Sequence, residues 1–220
     1  MKYRAVIFDL DGTLLNTLDD LGNAMNRTLE QEGFPTHPID AYRYFVGNGA
    51  RKLITRTLPK AHLDQETVDR CFTSFQADYD GHWDVDTRPY DNIPAMLDAL
   101  TARGLKLAIL SNKPDAAAKR CVAELLPDWR FAVVLGQRDG VPHKPDPIGA
   151  HEIAAHLHLS AADCLYVGDT SVDMQTAIAA RMFAVGVLWG FRPRQELEEN
   201  GAQALLTHPL DILKLLDAPA

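Results

Sequence analysis

The sequence predicts an α/β protein: a doubly wound parallel sheet with an all-helical segment inserted after its first strand. Three observations carry that prediction. From Tyr90 onward, short apolar runs alternate with amphipathic stretches, the grammar of parallel strands joined by helical crossovers. Ala5 to Phe8 is an apolar run without polar alternation, as expected of a strand covered on both faces. Between these two regions, from about Asn16 to Arg88, apolar residues recur only at helical spacing and no credible strand appears. The expected organisation is therefore an α/β core made of residues 1–15 and 89–220, divided by a helical cap of residues 16–88. A chain of 220 residues with 46% hydrophobic content is long enough for one good core and a small second domain.

Within the insertion, Leu14, Leu18, Leu21, Met25 and Leu29 mark one helix face, which Gly33 ends. Shorter helical stretches run from Ile39 to Phe45 and from Ala50 to Leu58, separated by Val46-Gly47-Asn48-Gly49. A further amphipathic helix spans Asp64 to Tyr79, with Val68, Phe72 and Phe75 on a shared face. In the second half, helices are expected over Ile93–Ala102, Asp115–Leu126, Ile148–His158, Ser171–Arg181, Arg194–Glu199 and Leu210–Leu216. Strands are expected over Leu105–Leu110, Phe131–Leu135, Cys164–Val167, Ala184–Leu188 and Ala204–Leu206. There is no internal repeat and no low-complexity tract.

A formal net charge of −8 argues against nucleic acid or an anionic membrane as a partner, since both require a basic face. Cys71, Cys121 and Cys164 are widely spaced, odd in number and without a CxxC pair, which suits reduced thiols in a cytoplasmic protein. The four apolar residues before Asp9 are too few for the apolar region of a signal peptide, and no run reaches membrane-spanning length. Several chemistries fail on spacing. No Gly-Lys pair completes a P-loop, and no cysteine is followed six positions later by arginine. In His151-Glu152-Ile-Ala-Ala-His156 the two imidazoles are one residue too far apart for a shared zinc ion, and both read as solvated.

Polar residues gather where three predicted strands end. The first ends in Asp9-Leu10-Asp11-Gly12-Thr13, the second in Ser111-Asn112-Lys113, and the one from Cys164 in Gly168-Asp169-Thr170-Ser171-Val172-Asp173. In open α/β sheets the carboxyl ends of the strands form the ligand crevice. Each group also has an ordinary reading: Asp-Gly is a turn dipeptide, Ser111 and Asn112 can cap a helix, and Asp173 can cap the next one. Lys144, in Lys-Pro-Asp-Pro, reads equally as a solvated loop lysine. Two carboxylates such as Asp9 and Asp11 held about 4 Å apart repel by about 4 kcal/mol at an effective dielectric near 20, so a bound cation would suit them.

Taken together, Asp-x-Asp-Gly-Thr, Ser-Asn, Lys-Pro and Gly-Asp-x-x-x-Asp occur in the order of the four motifs of the haloacid dehalogenase superfamily, and the chain resembles its phosphatases from Val6 to Asp173. The resemblance implies a phosphomonoester hydrolase working through an aspartyl-phosphate. Asp9 would be the nucleophile and Asp11 the acid and base, its backbone carbonyl also binding metal. Ser111 and Lys144 would hold the phosphoryl oxygens with Asn112 in support. Asp169 would ligate the metal, with Asp173 binding it directly or supporting it from behind. The all-oxygen donor set favours Mg²⁺ over Zn²⁺. Val46 to Leu53 and Gly186 to Phe191 look like segments of phosphoglycolate phosphatases, which implies a small phosphorylated metabolite, foremost 2-phosphoglycolate, as substrate. Arg51 would pair with its carboxylate, although it also reads as a solvated residue in a helix's first turn. A β-phosphoglucomutase-like mutase is the nearest alternative, disfavoured by Thr13, where mutases usually carry valine. A pyrophosphatase, a nucleotidase and a catalytically silent phosphate-binding protein are the others. Arg181 departs from similar sequences, which commonly end that helix with glycine.

Overall fold

The computed structural model describes residues 3–217, so Met1 and Lys2 and residues 218–220 of the expected core lie outside it. The chain divides into two compact units. One comprises the chain up to Leu15 together with everything from Pro89 onward, and the other is Asn16–Arg88.

The α/β unit is built on a six-stranded sheet: β1 (Ala5–Phe8), β4 (Lys106–Pro114), β5 (Phe131–Gln137), β6 (Cys164–Gly168), β7 (Phe183–Val187) and β8 (Ala204–Leu206). Its order is β5-β4-β1-β6-β7-β8, and every neighbouring pair is parallel. The chain steps outward from β1 to β5 on one side, then returns to β6 and steps outward on the other, so the direction reverses around β1. Phe8 is in register with Ile109 on one side and Val167 on the other. The residues that follow these three therefore emerge at one rim, the crevice of an open α/β sheet.

The apolar run of β1 is wholly buried. Ala5 and Ile7 share a core with Ala108, Leu110, Cys164, Tyr166 and Ala184 and with apolar residues of α7 (Ile148–His156), α8 (Ser171–Ala179) and α9 (Arg194–Glu199). Val6 and Phe8 alternate to the opposite face and are equally buried. Burial on both faces accounts for the unbroken apolar run. The remaining helices of this unit are α5 (Ile93–Ala102), α6 (Asp115–Leu125) and α10 (Ile212–Asp217).

The other unit contains α1 (Leu18–Gln31), α2 (Tyr42–Phe45), α3 (Ala50–Thr57) and α4 (Gln65–His82). Asp64 caps α4 by accepting a 2.9 Å hydrogen bond from the Thr67 amide. The face of α4 that is buried runs through Val68, Cys71, Phe75 and Tyr79, so Cys71 takes the place expected for Phe72. Asp20, buried in the first turn of α1, accepts hydrogen bonds from the amides of Asp86 and Thr87.

Three local expectations need correction. The first helix begins at Leu18 rather than Leu14, because Leu14 and Leu15 donate their amides to the Leu10 carbonyl in a compact turn. The segment is not free of strands: β2 (Leu15–Asn16) and β3 (Arg88–Pro89) pair as a two-stranded ladder at its ends, too short to produce a periodicity in the sequence. The strand expected to stop at Leu110 runs on through Ser111, Asn112 and Lys113 to Pro114, which pairs with Gln137.

Arg181 occupies the position after α8 with φ 58°, in the left-handed region. Its amide bonds to the Ile178 carbonyl and that of Met182 to Ala177, the pattern that usually recruits glycine at a helix end. A side chain there is strained, and the R181G variant should be more stable by about 0.5–1 kcal/mol in urea unfolding with an unchanged m-value. A loss of stability would contradict the left-handed assignment.

Candidate active site

Asp9 is the first residue past β1, its amide hydrogen-bonded to the Val167 carbonyl of the neighbouring strand. Asp169 is the first past β6, and Asp173 lies in the first turn of α8. One carboxylate oxygen from each of the three lies within 4.8 Å of the others. All three are buried. Lys144 joins them from the loop before α7, its ammonium 2.9 Å from Asp9 Oδ1 and 2.7 Å from Asp173 Oδ1.

Each member is fixed by specific donors. Asp9 Oδ1 accepts the amide of Leu10 at 2.7 Å. Thr13 Oγ1 donates to Asp169 Oδ1 and the Phe191 amide to Oδ2, both at 2.9 Å. Asp173 Oδ2 accepts from the amide and hydroxyl of Thr170 in a capping box, while Oδ1 takes the Lys144 ammonium. The backbone must come very close for this. A Cβ on Gly12, which sits at φ 84°, would lie 2.3 Å from Asp169 Oδ2, and one on Gly190 would lie 2.2 Å from Asp169 Cβ. Glycine is therefore required on both sides of Asp169.

Charge is unbalanced in this pocket. With all three ionised, the carboxylates would exceed the Lys144 ammonium by two negative charges, and at such separations each like-charged pair would repel by about 3–4 kcal/mol at an effective dielectric near 20. Burial pushes the Asp9 carboxyl up to about 7; Lys144 pulls it down and Asp173 adds to the rise. Burial, then Asp173 and Asp9, raise Asp169 well above the usual carboxylate range. Burial alone would lower the Lys144 ammonium, but Asp173 and Asp9 reverse this and hold it well above its ordinary value. An all-oxygen donor set with surplus negative charge fits a hard divalent cation, so the cluster can bind one.

The other expected residues fall in two places. Ser111 and Asn112 lie buried at the end of β4. The Asn112 side chain grips the backbone of Lys144, accepting its amide at 2.9 Å and donating to its carbonyl at 3.2 Å. Asp11 turns its carboxylate toward Lys113, outside the three-carboxylate group. Arg51 belongs to the helical unit, where it pairs with Asp69 and lies over the Phe72 ring, 4.5 Å from its centre. Its side chain is 54% exposed. His151 and His156 are exposed, and Glu152 pairs with Arg138 at 2.6 Å.

Sequence reading gave no role to Lys113, to the Thr13 hydroxyl as a donor to Asp169, or to Trp189, whose indole donates to the Thr13 carbonyl at 2.9 Å. For Lys113 no local signal existed, because it lies in a polar continuation of β4. The stretch from Leu110 to Pro114 is irregular, advancing four residues against two of β5, so no alternation in the sequence points to it.

A parallel sheet with carboxylates at the ends of its central strands and a lysine set between them defines a doubly wound α/β protein with an acidic centre able to hold a cation. Residues 6–187 match the family model of haloacid dehalogenase-like hydrolases, and the chain belongs to that family. It is 37% identical over 193 residues to the phosphoglycolate phosphatase of Neisseria gonorrhoeae, covering 86% of this chain and 81% of that one. It is 32% identical to that of Colwellia psychrerythraea, covering 90% of each. A solved structure from Lactobacillus delbrueckii subsp. bulgaricus, provisionally assigned as a phosphoglycolate phosphatase, superposes with a TM-score of 0.92 at 32% identity, covering 98% of this chain and 99% of that one. No helix among the described residues is long and apolar enough to cross a membrane.

The charge imbalance has a consequence for stability. Without metal, folded Asp9 keeps a proton up to about pH 7, whereas an unfolded aspartate loses it near pH 4. Between these values the folded state binds more protons, so the site's contribution to stability falls as pH rises. A cation offsets that loss, and Mg²⁺ should raise Tm relative to EDTA more at about pH 8 than at about pH 5. Equal shifts in the two thermal melts would show that the cluster is not where the ion binds.

Proposed function

We propose that this protein is a Mg²⁺-dependent phosphomonoester hydrolase that works through an aspartyl-phosphate on a small phosphorylated metabolite, foremost 2-phosphoglycolate. The observation that carries the proposal is the buried Asp9, Asp169 and Asp173 cluster with Lys144 among them, in a chain whose relatives over most of its length are named phosphoglycolate phosphatases.

Asp9 Oδ1 is engaged by the Leu10 amide and Lys144, which leaves Oδ2 to attack phosphorus. In the first step the Oδ2–phosphorus bond forms, the bond to the leaving alcohol breaks, and its oxygen takes a proton from Asp11. In the second, water attacks phosphorus while Asp11 accepts its proton. The bond to Asp9 breaks, and its electron pair returns to the carboxylate as inorganic phosphate leaves. Lys144 and Ser111 hold the phosphoryl oxygens, and Asn112 acts by fixing the Lys144 backbone. Asp9, Asp169 and the Asp11 backbone carbonyl would hold the cation. Asp173 would support from behind, its Oδ1 holding Lys144 and its Oδ2 the Thr170 cap. When bound, the cation supplies charge neutralisation of the carboxylates and of the equatorial phosphoryl oxygens. The oxygen donors and the absence of histidine or thiolate from this group favour Mg²⁺. The three buried free thiols support a cytoplasmic location.

A screen of small phosphoesters with Mg²⁺, reading released phosphate and the alcohol product, tests the assignment. The D9N variant should keep its fold and lose at least about 10³-fold in kcat. A D9N protein with full turnover would remove Asp9 as the nucleophile, and a hexose phosphate isomerised without phosphate release would instead indicate a mutase.

We further propose that Arg51 exchanges Asp69 for the carboxylate of the substrate. The R51A variant should raise KM or lower kcat for carboxylated esters by about tenfold or more, with p-nitrophenyl phosphate little changed. Equal effects on both substrates would eliminate this role.

A further inference from the structure

Lys113 is a buried cation that the chemistry above does not use. Its side chain is 4% exposed and that of Asp11 15%. The ammonium lies 3.3 Å from Asp11 Oδ1 and 3.5 Å from Oδ2, straddling the carboxylate rather than favouring one oxygen. Lysine is rarely this buried without a counter-charge, because desolvating an ammonium is costly. The backbone around it is held: the Lys113 amide donates to Ser111 Oγ at 3.3 Å, and Pro114 continues the ladder to Gln137 of β5. Gly136 lets the strands close at that point, for a Cβ there would lie 2.6 Å from the Lys113 carbonyl. Asp11, by contrast, sits on the turn after β1, and Lys113 reaches it from β4.

We propose that Lys113 is the positioning residue for Asp11. It fixes the direction in which the Asp11 carboxyl presents an oxygen to the leaving group and then to water. The inference rests on Asp11 being the acid and base of the proposed hydrolysis. A straddling ammonium suits both steps. When one oxygen carries the proton, the other remains an acceptor for Lys113; when neither does, the cation spans both. The group that must donate and later accept a proton is thereby kept on one axis, and misplacing such a group by about 1 Å can cost about 10²-fold in rate.

The test is the dependence of rate on the leaving group, which a general loss of structure would not produce. On the full-length enzyme with Mg²⁺, kcat/KM is measured for a series of substituted phenyl phosphates and for 2-phosphoglycolate. In the K113M variant, esters of the most basic leaving groups should lose about 10²-fold while a dinitrophenyl ester stays within about threefold, because a good leaving group needs no proton. The K113R variant should recover most of the loss. If K113M does not fold, K113Q, which keeps a hydrogen-bond donor without the charge, carries the same comparison. A uniform loss across the series would overturn the inference, as would a raised KM for 2-phosphoglycolate with kcat intact, which would make Lys113 a substrate contact. The D11N variant separates the two layers. Steep leaving-group dependence in D11N but not in K113M rejects Lys113 alone, whereas its absence in D11N rejects the acid assignment beneath it.

Discussion

The structure is organised around a concentration of negative charge that the interior of a protein would ordinarily reject. Asp9, Asp169 and Asp173 are buried within reach of one another, and Lys144 neutralises only part of their charge. An isolated buried carboxylate is so costly that it normally takes up a proton or a partner. Here the scaffold withholds full compensation and fixes each carboxylate with neutral donors: the Leu10 and Phe191 amides and the Thr13 and Thr170 hydroxyls. The result is a buried centre with more negative charge than its own lysine can balance, which a bound cation would offset.

Holding that arrangement places demands on backbone shape more than on side-chain packing. Gly12 and Gly190 both press against Asp169, at distances no other residue could tolerate, and Trp189 ties its loop to the Thr13 carbonyl. The Lys144 loop is held in a similar way, by an Asn112 amide that engages both polar groups of one backbone position. The lysine is therefore held in place by the scaffold itself, the preorganisation that the proposed phosphoryl transfer would use.

Much of this could be read from the chain, and the limits have physical causes. The strands of the α/β unit were legible because burial on both faces leaves unbroken apolar runs such as Ala5–Phe8 and Cys164–Val167. The residues at their ends were legible as a group because parallel neighbouring strands deliver their carboxyl ends to one rim. What escaped was anything set by register or by contacts distant in sequence. The continuation of β4 beyond Leu110 is polar and resembles a loop, which concealed Lys113. β2 and β3 have two residues each, below the length at which alternation exists. The hydrogen bond from Thr13 to Asp169 spans 156 positions and leaves no local trace. The partners of Arg51, Asp69 and Phe72, lie on a different helix, and nothing in the spacing between them indicates contact.

The place of β1 in the sheet also bears on how the protein is made. Among the described strands of the sheet it comes first along the chain, yet it lies between β4 and β6, which begin at Lys106 and Cys164. Its apolar residues have no lateral partners until more than a hundred further positions have been translated, while the helices of Asn16–Arg88 can form from contacts local to themselves. During synthesis β1 therefore waits for its lateral partners while the helices of Asn16–Arg88 form, and the six-stranded sheet is complete only once β8 has been made.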